Sequence, residues 1–117
     1  KTAFIGAVGD DREGRFLLDG LRKEGVDTRA VRVAPGKPTP VAFILVDEET
    51  HSRTIAYLDS LGEELRPEKF NIPQLPIGRC LLLDPYGTLL GIELAPAARK
   101  AGIPVIYDAE HEVEGFL

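Results

Sequence analysis

Apolar residues fall in short runs broken by glycine, proline and charge, and the period of those runs changes along the chain. Residues 2–8, TAFIGAV, are a continuous apolar run of strand length, the pattern of a strand covered on both faces. Gly9 breaks the run. Asp10 then suits a helix N-cap, and Glu13 three residues on completes a variant of the capping box. Gly14, Leu17, Leu18 and Leu21 make one stripe at helical spacing. Arg22 and Lys23 favour the negative end of that helix, and Gly25 supplies a left-handed residue to close it. The order is strand, tight turn, helix.

Residues 31–33, VRV, read as a short strand, and 34–40, APGKPTP, carry too many prolines for regular structure. VAFILVD (41–47) and RTIAYLD (53–59) flank the polar turn EETHS and predict a β-hairpin. In its first strand both alternating faces are apolar, with Val41, Phe43 and Leu45 on one and Ala42, Ile44 and Val46 on the other. Such a strand needs covering, by the sheet, by a ligand or by another chain. Residues 60–78 contain Pro67, Pro73 and Pro76 and predict a connector with at most one short helix. RCLLLD (79–84) predicts a strand, and Leu90, Leu94, Ala97, Ala98 and Ala101 share one face of a following helix. Pro96 inside that run either kinks the helix or marks its start. Lys100 and Gly102 close it before the strand IPVIYD (103–108), giving a βαβ unit with a right-handed crossover. The fold class expected is α/β, a mostly parallel sheet with a small β excursion.

A chain of 117 residues has room for one domain or for part of a larger one. With 44% apolar and 28% charged residues it has the composition of a folded chain. The net charge of -5, with scattered basic residues, argues against a nucleic-acid partner and against an anionic membrane surface. No apolar run approaches the roughly 20 residues that span a bilayer. Cys80 is the single cysteine, in an apolar run and expected to be buried, so an internal disulfide is impossible and a reduced, cytoplasmic setting is expected.

The turn GAVGDDREG has the strand-loop-helix layout of a phosphate cradle but neither its glycine spacing nor a GK[ST] ending. Asp10 and Asp11 would repel a phosphate, so the turn is read as the start of a helix. Asp84 and Asp108 each end an apolar strand, and a helical crossover makes those strands parallel. Ligands of open α/β sheets bind beyond the carboxyl ends of strands, where both carboxylates could accept hydrogen bonds from hydroxyls. The competing reading is that Asp84 caps the turn DPYG and Asp108 caps a helix after it. His51, His111 and Cys80 do not make a zinc set, DAEHEVE reads as an exposed acidic segment, and no nucleophile motif is present.

AFIGAVGDDREGRFLLDGLRKEGVDT, PTPVAFILVDEETHSRTIAYL, LLLDPYG and AARKAGIPVIYDAE, in that order, resemble the ribokinase-like PfkB family of carbohydrate kinases. The resemblance runs over nearly the whole chain. It implies a partial ribokinase-like α/β domain over 1–117: a central, mostly parallel sheet flanked by helices, with lid strands at about 31–33 and 41–58. It also implies transfer of the γ-phosphate of ATP, with Mg²⁺, to a hydroxyl of a sugar or nucleoside, and a homodimer paired through the lid. By register Ala42 and Ile55 match lid positions that pack on the substrate, and Asp84 matches an acidic strand-end position that contacts a sugar hydroxyl. Asp108 matches a strand-end position, but DAE departs from the family's D-P-N, and SLG (60–62) stands where the family has a GAN-like stretch.

The family's glycine-rich substrate motif would lie before Lys1. Its GAGD-type motif, which supplies the anion hole and the aspartate base, would lie after Leu117. The Asn and Glu positions associated with metal and phosphates are also missing, so this segment should hold no catalytic residue, nucleotide or metal. Phosphoryl transfer depends on positioning and charge neutralisation, so the segment should be inactive alone. The alternative is a binding or dimerisation module that reuses the fold without catalysis; an unrelated doubly wound nucleotide-binding enzyme fits the acidic first turn poorly.

Overall fold

The computed structural model describes residues 1–75 and 78–108. The elements in order are β1 (Ala3–Gly9), α1 (Arg12–Lys23), β2 (Asp27–Ala34), β3 (Ala42–Val46), β4 (Arg53–Tyr57), β5 (Leu81–Leu83), α2 (Thr88–Lys100) and β6 (Val105–Tyr107). β1 pairs in parallel with β2, from Ile5 opposite Ala30 to Gly9 opposite Ala34. β5 pairs in parallel with β6, Leu83 facing Tyr107. Each pair is bridged by its own helix, so the described chain is two βαβ units separated by the antiparallel hairpin β3–β4. This is an α/β fold of parallel strands flanked by helices, a partial domain with a projecting hairpin.

Both helices end in the same way, and the sequence explains why. Gly25 and Gly102 have φ of 76° and 71°, the left-handed region that favours glycine. The residue after each glycine donates back to a carbonyl five positions earlier, Val26 to Leu21 and Ile103 to Ala98, which closes the exposed carbonyls of the last turn.

The start of α1 differs from expectation. Its N-cap is Asp11, not Asp10, and Glu13 completes no box. Asp11 sits in extended backbone and accepts from the Gly14 amide, while the Asp10 carboxylate turns away to accept from the Gly36 amide. Along the expected stripe, Gly14 and Leu18 are buried, but Leu17 is 45% exposed. On α2 the buried face holds Leu90, Gly91 and Ala95, whereas Ala97 and Ala101 face solvent. That face is rotated because Ala95 and Leu83 form the local core, with Leu81, Ile92, Val105 and Tyr107 packed around them. Pro96 does not mark the helix start; it lies exposed inside a helix that runs on to Lys100.

Three further expectations are corrected. The strand expected at residues 31–33 is longer: they belong to the eight-residue β2, which pairs with β1. The connector holds three one-turn 3-10 segments, Gly62–Leu65, Pro67–Lys69 and Ile72–Gln74. Prolines preset the first turn of two of them, and extended residues at Arg66, Phe70 and Leu75 stop each one. Cys80 is exposed, because the strand begins one residue later, at Leu81.

The core is thin. Among the described residues, Val8, Leu18, Ala34, Leu61, Leu83, Leu90 and Ala95 are its buried apolar side chains. The accessible surface is 8890 Å², against roughly 6300 Å² for a closed monomer of this mass. The radius of gyration is 15.7 Å, where a compact chain of this length gives about 13.4 Å. Many of the exposed large apolar side chains among the described residues lie in the hairpin. Every residue of β3 and β4 is exposed, Phe43 by 71% and Leu45 by 66%. Burial of that strand inside this chain is therefore excluded, and its two apolar faces wait for something else to cover them. No described helix is long and apolar enough to cross a membrane.

Candidate functional site

The chemistry-bearing residues follow the carboxyl ends of the parallel strands of each pair, where ligands of open α/β sheets bind. After β1 come Asp10 and Asp11, and after β2 the loop through Thr39. After β5 comes Asp84, and after β6 Asp108.

The first of these groups is locked. Asp11 Oδ1 accepts from the Gly14 amide at 2.9 Å and from the Thr39 hydroxyl at 2.6 Å, and Oδ2 accepts from the Thr39 amide at 2.7 Å. The same Thr39 hydroxyl accepts from the Gly9 amide at 2.9 Å. The Thr39 hydroxyl, its amide and the Gly14 amide, in that order, hold the Asp11 carboxyl down at about 2. Two glycines permit the approach: a Cβ on Gly9 would lie 2.2 Å from the Lys37 carbonyl, and one on Gly14 would lie 2.2 Å from the Gly9 carbonyl. The Gly9 and Gly14 amides are already given to Thr39 and Asp11, and the Asp10 and Asp11 carboxylates would repel a phosphate. This turn does not fit a nucleotide, and its role is to fasten the 34–40 loop to the start of α1.

Asp84 is in extended backbone, exposed, and accepts from the Gly87 amide at 2.9 Å, so it caps the 3-10 turn Pro85–Gly87. Asp108 follows Tyr107, its amide donating to the Leu83 carbonyl at 2.9 Å. The two aspartates thus stand one residue beyond the facing pair Leu83 and Tyr107, at the same end of neighbouring strands. The acidic continuation from Ala109, including His111, lies outside the described residues.

In the hairpin Ala42 faces Tyr57 and Ile44 faces Ile55. Side chains directly opposite one another, and those two apart on a strand, share a face. Ala42, Ile44, Ile55 and Tyr57 are therefore on one side, and Phe43, Leu45, Thr54 and Ala56 on the other. Tyr57 meets Tyr86 edge-to-face, with ring centroids 6.3 Å apart and planes at 88°. Tyr86 is two residues past Asp84. The hairpin face bearing Ala42 and Ile55 is thus the face turned toward the Asp84 turn. The sequence offered no sign of this contact beyond an aromatic in each segment, and Thr39 was visible only as one polar residue among prolines.

A separate cluster braces the connector. Glu64 is 8% exposed and pairs with Arg32 at 3.2 Å, Lys37 at 3.2 Å and Lys69 at 3.9 Å. Hydrogen bonds from Lys37 and then Arg32 hold its carboxyl below the usual range. Arg32 also donates to the Lys69 carbonyl and lies 5.9 Å from the Phe70 ring centre. A cavity of about 350 Å³ opens here, lined by residues that include Arg29, Arg32, Lys69, Phe70 and Gln74. Ala42, Ile55 and Asp84 do not line it. Among the described residues no three His, Cys, Asp or Glu side chains gather in a group that could hold a metal ion.

Parallel strands with strand-end carboxylates and an exposed apolar hairpin define a partial α/β domain. The pfkB carbohydrate kinase family model matches residues 1–113, and the chain belongs to that family. It is 31% identical to the 5-dehydro-2-deoxygluconokinase of Geobacillus thermodenitrificans over 95% of this chain and 35% of that protein. The Giardia lamblia ribokinase structure superposes with a TM-score of 0.77 at 22% identity, over 96% of this chain and 36% of that one. The Burkholderia thailandensis nucleoside kinase in complex with inosine gives 0.68 at 18% identity, over 88% and 33%. The two superpositions show the fold. The chain spans about a third of the length of the curated relatives it matches.

Proposed function

We propose that this chain is the acceptor-side segment of an ATP-dependent kinase that moves the γ-phosphate to a hydroxyl of a sugar or nucleoside. The hairpin over residues 41–58 serves as a lid. Ala42 and Ile55 pack on the apolar face of the substrate, and Asp84 accepts a hydrogen bond from one of its hydroxyls. The observation that carries this reading is the Tyr57–Tyr86 contact, which turns the hairpin face with Ala42 and Ile55 toward the turn that Asp84 caps. Asp108 stands next to Asp84 and is a second acceptor in reach of the same edge.

ATP and Mg²⁺ would be held by the rest of the parent polypeptide, since Asp10 and Asp11 make the turn after β1 a poor place for phosphate. The segment alone therefore positions an acceptor and performs no transfer. The net charge of -5 with scattered basic residues argues against a nucleic-acid or membrane-surface partner, and the single cysteine fits a cytoplasmic setting. The exposed Phe43 and Leu45 support a second copy as the cover of the lid's other face, giving a homodimer. That exposed face also favours a second reading, a dimerisation module without catalysis.

In the full-length polypeptide, Asp84→Ala should raise the acceptor KM by about tenfold to a hundredfold, the loss of one hydrogen bond to a charged group, with the ATP KM unchanged. Asp84→Asn can still accept from Gly87 and separates the cap from the charge. Unchanged acceptor kinetics in both variants removes Asp84 from the site, and a full-length protein with no phosphotransfer to any polyol or nucleoside leaves the dimerisation reading.

A further inference from the structure

Exposure changes abruptly at the base of the hairpin. Thr39 is 6% exposed and Leu61 3%, yet every residue from Pro40 to Asp59 is exposed. At that boundary both legs are fastened. On the entering leg Thr39 gives its amide and hydroxyl to Asp11 and accepts from the Gly9 amide, so two residues flanking the β1–α1 turn hold it by three bonds. On the leaving leg the Ser60 hydroxyl donates to the Pro38 carbonyl at 2.6 Å, joining the two legs directly. Asp59 then accepts from the amides of Leu61 and Gly62 at 3.1 and 3.0 Å, which turns the chain into the buried Leu61.

Between these fastenings the hairpin ladder is continuous, from Ala42 opposite Tyr57 to Val46 opposite Arg53. A stiff ribbon tied at one end bends where the ties stop, not along its paired length. We infer that Asp11 and Thr39, which lie outside the hairpin, are positioning residues that set its resting angle, and that it swings as one body about Pro40 on one leg and Leu58–Asp59 on the other. This rests on the lid reading above and adds to it the residues that hold the hinge. Asp11 thereby has a task unrelated to phosphate, although it stands in the turn where phosphate loops place their ligand.

The test uses the full-length polypeptide in a Cys80→Ser background, with spin labels on cysteines replacing Glu48 at the hairpin tip and Lys100 at the end of α2. The unsubstituted base should give a single narrow distance peak. In Thr39→Val that peak should be lost to a broad distribution, and Thr39→Ser, which keeps the hydroxyl, should restore it. Ser60→Ala cuts only the surface bond between the legs, and broadening there with native circular dichroism supports the same hinge. A peak unchanged in Thr39→Val and Ser60→Ala overturns the inference, as does equal broadening in Thr39→Ser. The distance needs no substrate, so a failure of the kinase reading would leave it standing. If the kinase reading holds, Thr39→Val also raises the acceptor KM about tenfold with the ATP KM unmoved.

Discussion

Gly14 and Gly20 lie on the same helix and should respond to the same substitution with opposite signs. Replacing a helical glycine by alanine ordinarily stabilises by about 0.5–1 kcal/mol, because the unfolded chain loses freedom. Gly20 has nothing within 4 Å of the position of a new Cβ, so Gly20→Ala should show that gain in full. At Gly14 the new Cβ would lie 2.2 Å from the Gly9 carbonyl oxygen, where real Cβ atoms essentially never come within 3.0 Å. It would also stand 2.9 Å from the Thr39 hydroxyl, which cannot yield because Asp11 and Gly9 hold it. The first turn of α1 must then lift off the end of β1 and stretch the Gly14–Asp11 bond. Overpacking of this kind costs about 1–3 kcal/mol. After the helical gain is subtracted, Gly14→Ala should lose about 1–2 kcal/mol. Urea unfolding of the full-length polypeptide should place its midpoint roughly 0.5–1 M below the parent, with an unchanged slope. Gly20→Ala should move it the other way. A Gly14→Ala midpoint at or above the parent's would refute the close packing of α1 on β1 and, with it, the fastening of the 34–40 loop.

The Asp11 carboxyl titrates near 2 in the folded chain, below its ordinary 3.8, so its stabilisation is complete above about pH 4 and is lost as pH falls toward 2. The urea midpoint should fall across that window, and less steeply in Asp11→Asn, where Asp27, paired with Arg29 and also held at about 2, still contributes. An equally steep fall in Asp11→Asn would dismiss the fastening. Phe43→Lys, on the hairpin face turned away from Tyr86, should shift the full-length protein toward monomer in sedimentation velocity. An unmoved dimer would place the interface elsewhere.

The units that were legible in the sequence are those whose local chemistry and packing agree. RKEG and RKAG announced two helix exits, and both glycines are left-handed. The β-branched and aromatic runs on either side of EETHS announced the hairpin, and the two strands pair there. Asp84 and Asp108 were placed at neighbouring strand ends by apolar run length alone. What was not legible depends on partners distant in sequence. Which of Asp10 and Asp11 caps α1 is decided by Thr39 and Gly36, over 25 residues away. The buried face of α2 is chosen by the strand residues Leu81, Leu83, Val105 and Tyr107, so a periodicity count drawn through Ala97 and Ala101 misplaced it. The extent of β2 is set by pairing with β1, which a half-polar run such as DTRA conceals. The family match rests on these same runs and adds no geometry at Asp84; the Tyr57–Tyr86 contact does.

The hairpin offers bare strand edges and two greasy faces to the solvent, the shape most prone to runaway self-addition. Against that stand only the charges at its tip, Asp47, Glu48, Glu49 and Arg53, which sit as gatekeepers flanking the apolar run. Removing them should turn a soluble preparation into one that gels at concentration, well before any change in its melting temperature.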